Sequence, residues 1–489
     1  MQRHRPTLWL AVLVPLALAS PATARPQGFG INEIGTCAAS RAFAVTGAPC
    51  KDASAIFWNP AAATTLKGWS GLAGAAFISI GGTFTQDTTF RVFEGDVPLA
   101  VVPHLFVNYK PASGMFSLNG KAAWGLGVYV PYGLTSQWTD SFPGRFQAKK
   151  AALQAIYIQP NFAYQVSDKW SVGLGPVIAV SKIELIQALD LSTQVAAPAT
   201  ATRPAITFAQ LGIAKRTEFG RANLKGQSTD FGAHFGVFGR PAANWTVGAR
   251  YLMPITFDYG GSTAKFKQTN TNLVLPQGNP ICYPTGTNPI CGGNPNATVN
   301  VDQLVGFQFS SGGALVEQDV FTQITHPAQL QAGVGYSGFK DWTVSADYVW
   351  TGWRRFKELP ILFGGPASVA NRRLIEDYNN TSAFRVSGER SFSNGAQLRL
   401  GASGVASAAP DETVTPLLPE QDRAYLSIGG AYPVTSNMTV EGAYLKVLAP
   451  GKRGRIDERT LRTQTAASLN TGKYELDANV FSVSLKITY

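Results

Sequence analysis

Few side chains in this 489-residue sequence stand where they could do chemistry, and most of those are basic. Arg250, Arg385, Arg399, Arg423 and Lys486 fall on the polar parity of segments that otherwise alternate apolar and polar residues, with Asp347 and Glu389 among them. A cation facing an enclosed space binds carboxylates through charge-assisted hydrogen bonds, and arginine does so bidentately. The other reading of the same residues is a hydrated, salt-bridged interior. Nucleophilic catalysis finds no support: His104, His234 and His326 lie far apart, and none accompanies a Gly-x-Ser-x-Gly elbow. Walker-type glycine loops, His-Glu-x-x-His and metal-ligand spacings are absent, so neither an enzyme nor a cofactor is expected. The four cysteines, Cys37, Cys50, Cys282 and Cys291, suit two disulfides, Cys37 with Cys50 and Cys282 with Cys291.

Composition narrows the setting. Charged residues make up 15% of the chain, well under the roughly one-quarter usual in soluble domains, while glycine is abundant, with 50 residues. Arg3, His4 and Arg5 precede an apolar run over 8–18, and Ala22-Thr-Ala24 offers a small-residue cleavage site. Residues 1–24 therefore read as a secretory signal peptide, its apolar core too short to span a membrane. No later apolar run reaches the ~18 residues of a spanning helix. The net charge of +11 is scattered, without a basic run or stacking motif, which argues against nucleic acid.

The elements that must position these residues are strands. Alternating segments fall near 67–83, 100–111, 120–134, 150–166, 169–185, 225–239, 244–259, 320–338, 341–356, 377–392, 395–409, 422–434, 437–449 and 472–489. In the final one, Phe481, Val483, Leu485, Ile487 and Tyr489 share a face, opposite Ser482, Ser484, Lys486 and Thr488. Tight turns at 167–169, 241–244, 339–341, 393–395 and 435–437 alternate with long gaps near 186–224, 260–319, 357–376, 410–421 and 450–471. That alternation puts short turns at one mouth and long loops at the other, as in a transmembrane antiparallel up-and-down β-barrel of about 14 strands. Trp170, Trp245, Phe339, Trp342 and Phe392 beside the turns suit an interfacial aromatic girdle. Residues 25–66 do not alternate; small residues with Phe29, Phe43, Phe57 and Trp58 as apolar anchors suit a compact plug for the lumen of a barrel over 67–489.

Several stretches resemble the FadL/TodX-type transporters of long-chain fatty acids and aromatic hydrocarbons. They are Gly28-Phe-Gly-Ile-Asn-Glu, Ser40-Arg-Ala-Phe-Ala, Asp52-Ala-Ser-Ala-Ile-Phe-Trp-Asn-Pro-Ala, Val130-Pro-Tyr-Gly-Leu and the run Thr413-Val-Thr-Pro-Leu-Leu-Pro-Glu-Gln-Asp-Arg-Ala-Tyr. The resemblance implies a fourteen-stranded barrel closed by an N-terminal hatch, an internal apolar pocket, and lateral exit into the outer membrane where the third strand kinks inward. Asn59, Pro60 and Ala61 would lie in the hatch near that kink, which would fall within 122–134, where Gly125, Gly127, Pro131 and Gly133 could break pairing. Arg423, in the matched Pro-Glu-Gln-Asp-Arg stretch, ranks first as a carboxylate ligand, ahead of Arg385 and Arg399. Phe29, Phe57 and Trp58 would supply apolar wall. The cysteine pairs and the long 260–319 segment depart from the best-known member.

The expectation is thus a passive outer-membrane transporter of hydrophobic molecules, most of all long-chain fatty acids, with aromatic hydrocarbon uptake and a general porin as alternatives. Its partners would be the hydrophobic ligand, outer-membrane lipid and, through the C-terminal strand, the barrel-assembly machinery. It would act as a monomer and bind no nucleic acid. An adhesin or phage receptor using the long loops is a further reading.

Overall fold

The computed structural model describes residues 28–489 except Thr202; the expected leader, 1–24, lies outside the described residues. Fourteen antiparallel strands form the wall: β1 (Gly68–Gln86), β2 (Ala100–Lys110), β3 (Ala122–Gln137), β4 (Lys150–Gln165), β5 (Trp170–Asp190), β6 (Glu218–Ala242) and β7 (Trp245–Leu252), then β8 (Gln329–Phe339), β9 (Trp342–Thr351), β10 (Thr381–Ser391), β11 (Gln397–Val405), β12 (Arg423–Pro433), β13 (Met438–Leu448) and β14 (Gly472–Thr488). Each pairs with the next, and β14 pairs with β1 from Ser70↔Thr488 to Gln86↔Gly472, so the ring closes. No described helix is long and apolar enough to cross a membrane; the crossing is made by strands.

Burial runs opposite to that of a soluble barrel. On β14, Phe481 and Val483 are 57% and 48% exposed, whereas Ser482 and Ser484 are buried. The same holds for Val101, Leu105 and Val107 on β2, Leu174 and Ile178 on β5, and Leu426 and Ile428 on β12, all exposed. An apolar belt of this extent would aggregate in water and is satisfied by lipid. Trp170, Trp245, Phe339 and Phe392 stand exposed beside the tight turns.

The wall differs from the sequence reading in its outer half. β5 and β6 extend into the expected gap from both sides, paired from Trp170↔Gly239 to Asp190↔Glu218, because their alternation persists in more polar form above the apolar belt. The segments expected at 244–259 and 320–338 are each interrupted by a proline, Pro254 and Pro327. Beyond them Ile255–Asp258 pairs with Gln323–His326 as a separate ribbon. Proline cannot donate to a ladder, so both strands break at that level. The long segments 186–224 and 260–319 fold together over a small core of their own around Leu191, Phe208, Phe219, Leu275, Val301 and the Cys282–Cys291 disulfide.

Residues 28–66 fill the lumen. Their short helices, α1 (Thr36–Ser40) and α2 (Ala55–Trp58), are buried along their whole length, and Cys37–Cys50 cross-links the segment. Its polar groups bond the inner face of the wall on every side. Thr36 reaches Ser482 on β14 at 2.7 Å, Arg41 reaches Ser345 on β9 and Ser387 on β10 at 2.9 and 3.0 Å, and Asn59 reaches the Val237 carbonyl on β6 at 3.0 Å. Thr64 meets Ser171 on β5 at 2.8 Å, and Ala42 N–H donates to Ser427 on β12 at 2.9 Å. One segment can touch strands all round a closed ring only from inside it. Close approach depends on absent side chains: a Cβ on Gly173 would collide with the backbone of Pro60 and Ala61, and one on Gly236 with the Asn59 side chain.

Candidate functional site

The wall is interrupted at one flank. β2 and β3 pair only from Tyr109↔Trp124 to Leu105↔Val128. Beyond Val128, β3 keeps β4 as its partner through a register shift between Tyr129 and Tyr132, and its other edge leaves β2. The two sides rejoin where Gly95 bridges Trp138 and Asp96 N–H donates to the Gln137 carbonyl at 2.9 Å. Between those points lies a window bounded by β2 on one side and β3 on the other. Pro103 and Pro131, neither with an N–H, stand on its two sides. The free edge of β3 pairs instead with the N-terminal segment: Ile31 N–H donates to the Pro131 carbonyl, and Gly133 N–H to the Phe29 carbonyl, each at 2.9 Å. Gly125 and Gly127 pair in register and do not break the strand. Their missing side chains make room for Ile56 of the N-terminal segment.

Behind the window is a cavity of about 520 Å³, within the roughly 300–1,000 Å³ range of ligand pockets. Its apolar wall comes from Ile78 and Ile80 on β1, Val102 on β2, Val130 and Leu134 on β3, and Val480 on β14. Val101, outward by parity, lines it as well as Val102, so the space wraps around the edge of β2 and meets the outer face. A smaller adjoining space of about 60 Å³ lies among Phe29, Phe356, Leu359, Ile361 and Leu417.

Charge enters this cavity at one end. Arg423 opens β12 and lines the cavity with Glu33 of the N-terminal segment and Glu420 of the loop before β12. The groups acting on Arg423 are Tyr425, Glu420 and Glu33. Glu420 accepts from the Gly28 N–H and, at 2.9 Å, from the Ala409 N–H. Burial pushes its carboxyl above the usual carboxylate range, against the pull of Arg423 and these hydrogen bonds.

The other candidate residues lie elsewhere. Arg385 donates to Asn32 Oδ1 at 3.0 Å and to the Phe43 carbonyl at 3.3 Å, deep in the lumen. Arg399 is enclosed by Glu389 at 2.9 Å and Glu441 at 3.2 Å. Phe57 and Trp58 are buried beneath Arg250, whose guanidinium carbon stands 4.5 and 5.7 Å from their rings. Phe29 reaches the smaller space and packs edge-on against Trp353 at 4.7 Å. Asn59, Pro60 and Ala61 sit against β4, β5 and β6; the residues lying along the break in β3 are Gly28 to Ile31. Sequence reasoning missed Glu33 and Glu420 as cavity residues, although both stand inside the stretches that carried the family resemblance.

A closed barrel with a lipid-facing apolar belt, a filled lumen and an apolar cavity reaching the outer face through its wall defines an outer-membrane transport barrel for hydrophobic molecules. The chain belongs to the outer membrane protein transport protein family (OMPP1/FadL/TodX), whose model matches residues 16–489. It is 24% identical over 449 residues to the long-chain fatty acid transport protein of Escherichia coli K12, covering 88% of this chain and 90% of that protein. It is 23% identical to outer membrane protein P1 of Haemophilus influenzae Rd, covering 98% and 99%. Among solved structures, a Pseudomonas aeruginosa FadL homologue superposes with a TM-score of 0.71 at 19% identity over 94% of this chain and 100% of that one. The Pseudomonas putida toluene transporter TodX gives 0.62 at 14% identity, over 95% and 99%. Both share the fold.

Proposed function

We propose that the protein carries long-chain fatty acids passively into the outer membrane, with residues 25–66 as the hatch. Ligand passes from the cavity sideways between β2 and β3. The observation that carries this reading is the window itself: the cavity reaches the lipid-facing surface where two strands stop pairing, so an oily chain need not cross a polar mouth. The driving force is burial of apolar surface down a concentration gradient. Pro131 and Gly133 shape the window, Phe29 borders the inner end of the path, and Arg423 stands where a head group would rest. Asn59, Pro60 and Ala61 anchor the hatch against the wall. The names of the curated relatives support a fatty acid as ligand.

A second reading, uptake of aromatic hydrocarbons, is favoured by a specific observation: Arg423 already faces two carboxylates, so an uncharged ligand leaves no charge unmatched. The toluene transporters among the fold relatives fit it. Saturable binding and uptake of labelled oleate and toluene by the purified, refolded protein separates the two. Oleate binding weakened by Arg423→Ala supports the fatty acid; toluene binding without oleate binding supports the hydrocarbon. Free conduction of small polar solutes with neither ligand bound would sink both and leave a porin.

A further inference from the structure

Two acidic side chains already share the cavity end with Arg423 before any ligand arrives. Glu33 and Glu420 face Arg423, and the other guanidinium acting on Glu33 is Arg385. Arg385 also answers Asp347, which accepts from the Gly47 N–H at 3.3 Å and from the Thr46 N–H at 2.6 Å. Lys452, which faces Glu420 from the side, is paired with Asp411 at 3.1 Å. Glu376 and Tyr378 are also within electrostatic reach of Glu420, and Arg455 acts on Glu376. At the opposite end of the cavity, Glu184 is held by Lys150 and Lys225, and Asp477 by Lys446. Lys182, which also lines the cavity, is exposed, and water screens it. A fatty acid carboxylate placed beside Arg423 would therefore be a third negative group around one guanidinium in a buried site, an arrangement that like-charge repulsion and desolvation both oppose.

We infer that a long-chain fatty acid binds in this cavity together with one proton, its carboxyl resting among Arg423, Glu33 and Glu420. The inference rests on the fatty acid reading above. The balance is simple: one carboxylate and one proton from water enter, and no covalent bond other than O–H forms. The proton is shared between the ligand carboxyl and Glu33 or Glu420, as in paired carboxyls that cannot both ionise. The site thus selects a head group that is neutral as bound, and a long-chain alcohol fits it without a proton.

The test is calorimetric titration of the full-length protein in detergent with oleate and with oleyl alcohol, in buffers of differing ionisation enthalpy. About one proton should be taken up per oleate and none per oleyl alcohol, with oleate affinity falling about tenfold for each unit rise in pH above neutrality, the slope of a one-proton linkage. In Glu420→Gln and Glu33→Gln, where the ligand carboxylate replaces a lost charge, proton uptake should fall and oleate should bind more tightly at high pH. Heat-modifiable gel migration confirms that each variant is folded. Oleate binding without proton uptake, or lost in Lys182→Ala, overturns the inference while leaving the transporter reading intact. Unchanged uptake in both glutamine variants also overturns it. Failure of oleate to bind at all overturns the fatty acid reading, and this inference with it.

Discussion

Gly133 donates its backbone N–H to the carbonyl of Phe29 at 2.9 Å, so the edge that β3 denies to β2 is taken up by the N-terminal segment. The window in the wall is therefore lined on its inner side by backbone that can leave without breaking the barrel ladder. A Cβ at position 133 would lie 2.5 Å from Ile31 Cδ1. Gly133→Val should displace Ile31 and narrow the path, lowering fatty acid uptake several-fold with the barrel still folded. Uptake at the parental rate would place the path elsewhere.

Arg399 and Arg423 should separate by phenotype. Arg399 is almost fully enclosed by two carboxylates, so Arg399→Ala leaves buried negative charge unpaired and should cost about 3–5 kcal/mol in denaturant unfolding. Arg423 is half-buried at the cavity end. Arg423→Ala should cost less stability than that, since Glu33 keeps Arg385 and Glu420 keeps the Gly28 and Ala409 N–H groups, and should act chiefly on ligand binding. Equal loss of stability in the two would show that Arg423 is structural.

Asn59 ties the N-terminal segment to the wall. Its Oδ1 accepts from Ala61 N–H at 3.2 Å, and its Nδ2 donates to the Val237 carbonyl at 3.0 Å. Asn59→Ala removes a cap and a buried hydrogen bond, an expected loss of about 2 kcal/mol. Asn59→Asp keeps the cap but sets a buried carboxylate against the Val237 carbonyl, so it should cost at least as much. Limited proteolysis of the N-terminal segment alongside urea unfolding reads both.

Glu376 gives a pH signature. It lies between β9 and β10, buried, with burial the main cause pushing its carboxyl up to about 8. A group whose folded pKa is raised holds its proton in the folded state over a range where the unfolded chain has lost it. Stability should fall as pH rises from the ordinary carboxylate range to about 8, and level off above. Glu376→Gln should remove that slope, becoming more stable than the parent at pH 8 and similar at acid pH. A parent and variant with parallel profiles would refute the assignment.

Much of the fold was legible because barrel strands carry their signal locally. The alternation of Phe481, Val483 and Leu485 with Ser482, Ser484 and Lys486 states which face meets lipid, and alternating turn and loop lengths state which mouth each belongs to. The parity that sent Arg250, Asp347, Arg385 and Arg399 inward agrees with their burial in the lumen. The interruptions at Pro254 and Pro327 were visible as residues, but only the ribbon formed beyond them shows why the wall divides there.

Sequence alone determined the alternating strands and the family, since each depends on residues near one another in the chain. The tertiary structure decided which candidates meet. Arg385 and Arg399 share the parity of Arg423, yet their guanidiniums are satisfied inside the lumen, and only Arg423 reaches the cavity. Glu33 and Glu420, 387 positions apart in the sequence (420 less 33), come to one guanidinium because the N-terminal segment threads the ring and the loop before β12 folds onto it. Pairing across such separations depends on ring closure and on which edge β3 offers, and no local pattern encodes either.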